Sequence, residues 1–134
     1  MPSFPSCGSM LGRPSHGRRR VETYQGLLRR LAVNDRRCMA DLALDRAPAD
    51  VLTLDRKSRA LARFAALAAT DGSIETFRWI VGDAIDAGAA PEEVVGALVA
   101  VAPLIGVARA VAVAPKVALA LDYDVDAALE ALDT

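Results

Sequence analysis

The segment from Leu54 to Leu121 constrains the fold most, because turn residues divide it into four stretches of helical apolar periodicity. Within each stretch the apolar residues recur three or four positions apart, which predicts amphipathic α-helices. Asp71-Gly72 marks the first turn, Gly88 the second and Gly106 the third. Glycine is typical of the residue at which a helix stops. The segment therefore predicts a set of helices packed around one core.

The turn signals also place the ends of the helices. Thr53 or Asp55 is suited to cap the first helix, and Pro91 followed by two glutamates favours the start of the third. Pro103 and Pro115 are expected to kink or interrupt the last two helices. The predicted helices are Arg56–Thr70, Ser73–Ala87, Pro91 to Leu104 or Ile105, Val107–Leu121 and a short Val125–Leu132. Residues 19–46 are predicted to be helical, with Asn34-Asp35 either separating two helices or forming an exposed turn of one.

Composition supports the same class of fold. Hydrophobic residues make up 53% of the chain but aromatic residues only 4%, so alanine, valine and leucine must supply the core. Such residues favour closely packed helices. We predict an all-α protein, a compact bundle of six to seven helices.

Net charge and the proline and glycine residues distinguish the amino terminus from the remainder of the chain. Residues 1–18 are predicted to form a disordered basic tail, and residues 19–134 a single helical domain. The net charge is +6 through Arg37 and −7 beyond it. A basic arm can bind nucleic acid, but no groove pattern of basic and aromatic residues accompanies it. We therefore expect no nucleic-acid partner, although a regulatory protein that uses this Arg-rich start is kept as an alternative.

Other features argue for a cytoplasmic protein without a membrane span. Cys7 and Cys38 do not suggest a disulfide framework, and Cys38 is expected to be a small buried or half-buried apolar residue. The apolar run Val94–Ala108 is shorter than the roughly 20 residues of a span and contains Pro103. His16, the single histidine, lies in the tail. We expect no metal site and no cofactor.

Three pieces of the sequence resemble the carboxymuconolactone decarboxylase family, which includes the alkylhydroperoxidase-D-like proteins. Leu54–Leu61 resembles the family's leucine-aspartate-x-lysine-threonine-arginine-glutamate-leucine segment. Ala84–Val95 is similar to the family segment in which a helix ends at a glycine and the next helix begins with glutamates. Leu104–Val111 is similar to a family segment of small residues around a central glycine. The resemblance covers residues 51–121. It implies an alkylhydroperoxidase-D-like fold that forms a trimer or hexamer through apolar helices.

The peroxidase-like branch of that family carries Cys-x-x-Cys-x-x-x-His, preceded by a glutamate on the previous helix. A thiolate at a helix amino terminus attacks the peroxide, the second thiol forms a disulfide, and the histidine relays the proton. Ser73, Thr76 and Ile80 occupy the matching positions, and Ala60 occupies that of the glutamate. Because a hydroxyl is a poor nucleophile without a base, we expect no thiol peroxidase activity.

The decarboxylase-like branch would place a histidine at Ile80. Candidate groups that remain are Glu75 or Asp83 as acid/base and Arg109 for binding a substrate carboxylate. Arg78 and Trp79 are further candidate substrate-binding residues.

Three interpretations follow from these residues. In the first, the chain is a divergent member of the family that acts as a homo-oligomeric binding or scaffold protein. In the second it is an enzyme of the decarboxylase or isomerase type, acting on a small carboxylated or lactone substrate. The third is the regulatory protein that uses its basic start.

Overall fold

A computed structural model describes residues 23–46 and 54–133, and these residues form seven α-helices without a β-strand. The predicted all-α class is therefore confirmed. The chain divides into two compact units, residues 1–53 and 54–134, which are described separately. The helices are α1 (Tyr24–Ala32), α2 (Arg36–Ala43), α3 (Arg56–Thr70), α4 (Ile74–Asp86), α5 (Pro91–Ile105), α6 (Val107–Ala120) and α7 (Val125–Leu132).

In the first unit, α1 and α2 contact each other, and a capped turn separates them. Asn34 has a left-handed φ of 55°, and the Cys38 N–H donates to Asp35 Oδ1 at 2.8 Å. Asn34-Asp35 thus separates two helices rather than forming an exposed turn of one. Cys38 is buried, as expected. The predicted tail and its boundary at residue 18 lie outside the described residues.

In the second unit, α3, α4, α5 and α6 pack together, with α4 against α6 and α3 against both α4 and α5. The rings of Phe64 and Phe77 meet edge to face, with centroids 6.5 Å apart. This geometry is favourable for an aromatic pair. Small and β-branched side chains fill the core around them, so the helices approach closely: Ala60, Ala68, Val81, Ala84, Ala89, Val94, Leu98, Val113 and Val117.

The helix ends follow the predicted signals. Asp55 caps α3 by accepting the Ser58 N–H at 2.7 Å. Gly88, with φ of 96°, provides the left-handed residue after α4, and Pro91 is the first residue of α5. Thr53, the other candidate cap, lies outside the described residues.

Pro103 and Pro115 lie inside α5 and α6, which continue past them to Ile105 and Ala120. The interruption considered from the sequence is therefore not observed. Pro103 falls in the last turn of α5, and each proline removes only the one hydrogen bond that its own N–H would have donated. Among the described residues, no helix is both long and apolar enough to cross a membrane.

Candidate functional site

The family resemblance would place reactive thiols at the start of α4. In this chain the side chains there form the hydrogen bonds that cap the helix. Ser73 Oγ accepts the Thr76 N–H at 3.2 Å, and the two hydroxyl oxygens are 3.0 Å apart. The Glu75 carboxylate accepts hydrogen bonds from its own N–H and from the Ser73 hydroxyl, and these lower its pKa. A carboxylate with a lowered pKa is a weak base, so it activates Ser73 poorly.

The other two resemblance positions carry no reactive group and belong to the packed interior. Ala60 is buried on α3, and Ile80 is half-buried against the core of the second unit. Arg78 and Trp79 project from the opposite side of α4, and Trp79 is 72% exposed. These residues are therefore on the surface of α4, whereas Ile80 is not.

Asp71, just before α4, forms ionic contacts with two residues of α6. Lys116 Nζ on α6 donates to Asp71 Oδ1 at 2.7 Å and to the Gly72 carbonyl oxygen at 2.8 Å. Arg109 Nη1 lies 3.4 Å from Asp71 Oδ2. The hydrogen bond from Lys116, followed by that from the Gly72 N–H, holds the pKa of Asp71 below its usual value. Arg109, a predicted substrate-binding residue, is thus paired with a carboxylate of its own chain.

Backbone geometry shows why this contact fixes the turn. Asp71 has φ of 66° and ψ of 166°, a combination that residues with a side chain adopt at an energetic cost. A Cβ on Gly72 would lie 2.9 Å from Leu67 Cδ1, so only glycine fits without a shift. A side chain at residue 72 would therefore have to displace the end of the Leu67 side chain, whereas Asp71 holds its left-handed φ with its carboxylate bound to Lys116 and to the Gly72 N–H.

Asp83 lies in a separate small polar cavity of about 60 Å³ between α3 and α4. The cavity brings together two predicted positions, Asp83 and Ala60. Three arginines of α3 share its lining, so cationic groups outnumber the single carboxylate: Arg56, Arg59 and Arg63.

An apolar surface of the second unit runs along α5 and α6, where exposed valine and alanine side chains recur at helical spacing. We call it the α5–α6 groove and define it by Val95, Val99, Val107, Val111, Ala114 and Ala118. Val107 is 71% exposed, and Val99 and Val111 are each 66% exposed. One end of the groove deepens into a cavity of about 570 Å³.

No protein family model, curated protein or solved structure matches this chain. Within residues 23–46 and 54–133, no group of His, Cys, Asp or Glu side chains is arranged to hold a metal ion. The candidate sites therefore depend on the geometry alone.

Sequence reasoning did not identify the role of Lys116 or of Asp71. Lys116 follows a proline in an Ala/Val-rich helix, and nothing in its spacing indicates Asp71 as its partner 45 residues away. A signal was nonetheless present, because Lys116 is the only charged residue between Arg109 and Asp122. A single lysine on an otherwise apolar helix usually needs a polar partner or solvent.

Proposed function

We propose that this protein is a helical binding or scaffold protein that self-associates through the α5–α6 groove, as a divergent relative of the carboxymuconolactone decarboxylase family without thiol peroxidase activity. A second copy of the chain is the proposed occupant of the part of the groove formed by Val99, Val107 and Val111. The proposed assembly is a trimer or hexamer, the state that the resemblance implies.

The observation that carries the proposal is the exposure of these three valines. Val107, Val111, Ala114 and Ala118 recur at spacings of four, three and four, so they form one stripe along α6. Val95 and Val99 form the matching stripe along α5, and the two helices contact each other. Contiguous apolar surface of this kind on a water-soluble protein marks an interaction site.

The distribution of charge along α5 and α6 also favours a second copy of the chain as the partner. The chain carries no charged residue between Glu93 and Arg109, and the two cations of α6, Arg109 and Lys116, are both paired with Asp71. Two copies can therefore bring the parts formed by Val99, Val107 and Val111 together without burying an unpaired charge. Burial of such a charge would cost several kcal/mol. An uncharged surface that pairs with itself is suited to the closed symmetry of homo-oligomers.

Sedimentation velocity at micromolar concentration tests the proposal. The wild-type chain should sediment as an oligomer, and the double variant Val107→Glu/Val111→Glu as a folded monomer. Leu132→Glu on α7 is the matched control, because Leu132 is 82% exposed but lies outside the groove; it should leave the oligomer intact. A wild-type chain that remains monomeric, or equal effects of both substitutions, would contradict the proposal.

The Asp83 cavity favours the enzyme as a second candidate. A cavity lined by Arg56, Arg59 and Asp83 suits a small carboxylate, with an arginine binding the anionic group and Asp83 moving a proton. This assignment moves the proposed anion-binding role from Arg109, which pairs with Asp71, to the arginines of α3. Glu75 is the weaker acid/base candidate because Ser73 and its own N–H already stabilise its charged form.

A screen of small lactone and carboxylate substrates, followed by NMR for lactone opening or loss of CO₂, tests this candidate. Asp83→Asn should abolish turnover, and Arg59→Gln should raise KM more than it lowers kcat. Asp86→Asn, one turn away on the exposed side of α4, serves as the control. Turnover that survives Asp83→Asn unchanged would remove the assignment.

A further inference from the structure

The cavity at one end of the α5–α6 groove has the size and lining of a small-molecule site. Its volume of about 570 Å³ falls within the range of roughly 300–1,000 Å³ that is usual for ligand pockets. Apolar side chains form nearly all of its wall, including Val95, Leu98 and Leu121. Such a wall binds the hydrocarbon part of a ligand by removing it from water.

Two polar side chains, Glu92 and Tyr123, contribute to the lining of this cavity. Neither has an ion pair within the described part of the chain, and the Glu92 carboxylate accepts no side-chain hydrogen bond there. Glu93, its neighbour, differs: it pairs with Lys57 Nζ at 3.0 Å and accepts the Ala90 N–H. Glu92 is thus the carboxylate that remains available at the cavity.

The start of α5 offers little to an anionic ligand. Pro91 has no N–H, the Ala90 N–H donates to Glu93 Oε1 at 3.1 Å, and the Glu93 N–H donates to the Ala90 carbonyl oxygen at 2.9 Å. Helix amino termini attract anions through free N–H groups, and in the first turn of α5 the Glu92 N–H is the one such group without a partner within the described residues. No lysine or arginine is among the described residues that line the cavity.

Acidic residues also flank Tyr123 in the sequence. Asp122 and Asp124 are both exposed, and Asp124 is held in place as the cap of α7 by the Ala127 N–H at 3.0 Å. An exposed phenol ring in an acidic segment is a favourable environment for an ammonium group, which binds both carboxylates and aromatic faces.

We infer that this cavity binds an apolar amine, with the hydrocarbon part between α5 and α6 and the ammonium group between Glu92 and Tyr123. The ligand class is a small hydrophobic molecule with one positive charge, and no reaction is involved. The inference does not depend on self-association, because it concerns the end of the groove that the exposed valines do not form.

Isothermal titration calorimetry with octylammonium, octanol and octanoate tests the inference, because the three probes share one tail and differ in head-group charge. Octylammonium should bind most tightly and octanoate least, with a difference between these two of about tenfold. Glu92→Gln should reduce that difference to about twofold or less. Glu130→Gln, the same change on an exposed residue of α7, should leave it unchanged. Amide shifts of Val95 and Leu121 on titration should locate the ligand.

Three outcomes would overturn the inference. The first is octanoate binding as tightly as octylammonium, and the second is no binding of any probe. The third is binding to Val107→Glu/Val111→Glu but not to the wild-type chain, which would mean that a second copy covers the cavity. If the wild-type chain sediments as a monomer and still binds octylammonium, the inference stands while the proposed self-association fails.

Discussion

The start of α4 and the α5–α6 groove are close in sequence but differ in how their chemical groups are used. At the start of α4, the Ser73 hydroxyl caps the helix and the Asp71 carboxylate binds Lys116 and Arg109. In the groove, Val99, Val107 and Val111 are exposed, and in the cavity at its end the Glu92 carboxylate has no hydrogen-bond or ion-pair partner within the described residues. Polar groups that already have partners stabilise a fold, whereas groups without partners can still bind something else.

The comparison changes where function should be sought. The resemblance directs attention to Ser73, Thr76 and Ile80, but two of these cap a helix and the third packs against the core. The proposed binding surfaces lie instead on α5 and α6 and in the small Asp83 cavity between α3 and α4.

The largest expected effect is at the core beneath the start of α4. Phe77 is fully buried and packs against Phe64, so Phe77→Ala should reduce the free energy of unfolding by about 3–5 kcal/mol. Urea unfolding followed by circular dichroism measures this. Trp79→Ala, two residues away but 72% exposed, should cost about 0.5 kcal/mol or less. Equal losses would mean that Trp79 is covered in the assembled protein.

A smaller effect is expected from the cap of α4. Ser73→Ala removes the acceptor for the Thr76 N–H and should cost about 1 kcal/mol. Ser73→Asp keeps an acceptor and adds a negative charge at the positive end of the helix, so it should retain most of the stability. If Ser73→Ala leaves the unfolding curve unchanged, the capping role assigned to Ser73 is wrong.

The pH dependence of stability should report on Asp71. Its pKa is lowered in the folded chain by Lys116 and the Gly72 N–H, so its contribution is present above the unfolded value of about 3.9. That contribution is lost as the pH falls through the lower folded pKa. The unfolding curves of the wild-type chain and of Asp71→Asn should therefore differ at pH 6 and converge toward pH 2. A constant separation over that range would show that Asp71 acts without its charge.

The smallest effect is expected in the groove, measured at concentrations where the chain is monomeric. Val99→Ser should change the free energy of unfolding by about 0.5 kcal/mol or less, because Val99 is exposed. The same substitution at Val94, fully buried on the same helix, should cost at least about 2 kcal/mol. A comparable loss at both positions would mean that Val99 packs inside the monomer.

Much of the fold could be predicted from the sequence because its signals are local. Helix periods, the cap at Asp55 and the glycine at Gly88 act within one or two turns of chain, whereas Ser73, predicted as the first residue of α4, is its cap. The predicted α3, Arg56–Thr70, has the observed bounds. The domain boundary at residue 18 and the trimer or hexamer stay predictions.

The candidate sites were harder to predict because they depend on contacts between distant residues. The Asp71–Lys116 pair joins the turn before α4 to the second half of α6, and helical periodicity does not specify which residues meet across helices. In the sequence, Asp83 and Ala60 belong to two different predicted helices, and nothing indicates that they are close. The packing of α3 against α4 brings them to one cavity with three arginines. The apolar region Val94–Leu121 favours association already in the sequence, but its pattern does not specify that Val107 and Val111 are the exposed positions, because the same pattern fits a buried helix.

The two prolines inside α5 and α6 have a consequence for hydration. A proline cannot donate to the carbonyl four residues earlier, which is Val99 for Pro103 and Val111 for Pro115. Both carbonyl oxygens belong to residues of the otherwise apolar groove, and backbone acceptors left without a partner are costly to remove from water. We therefore expect a molecule that covers the groove to donate hydrogen bonds to these two oxygens or to leave a water molecule at each.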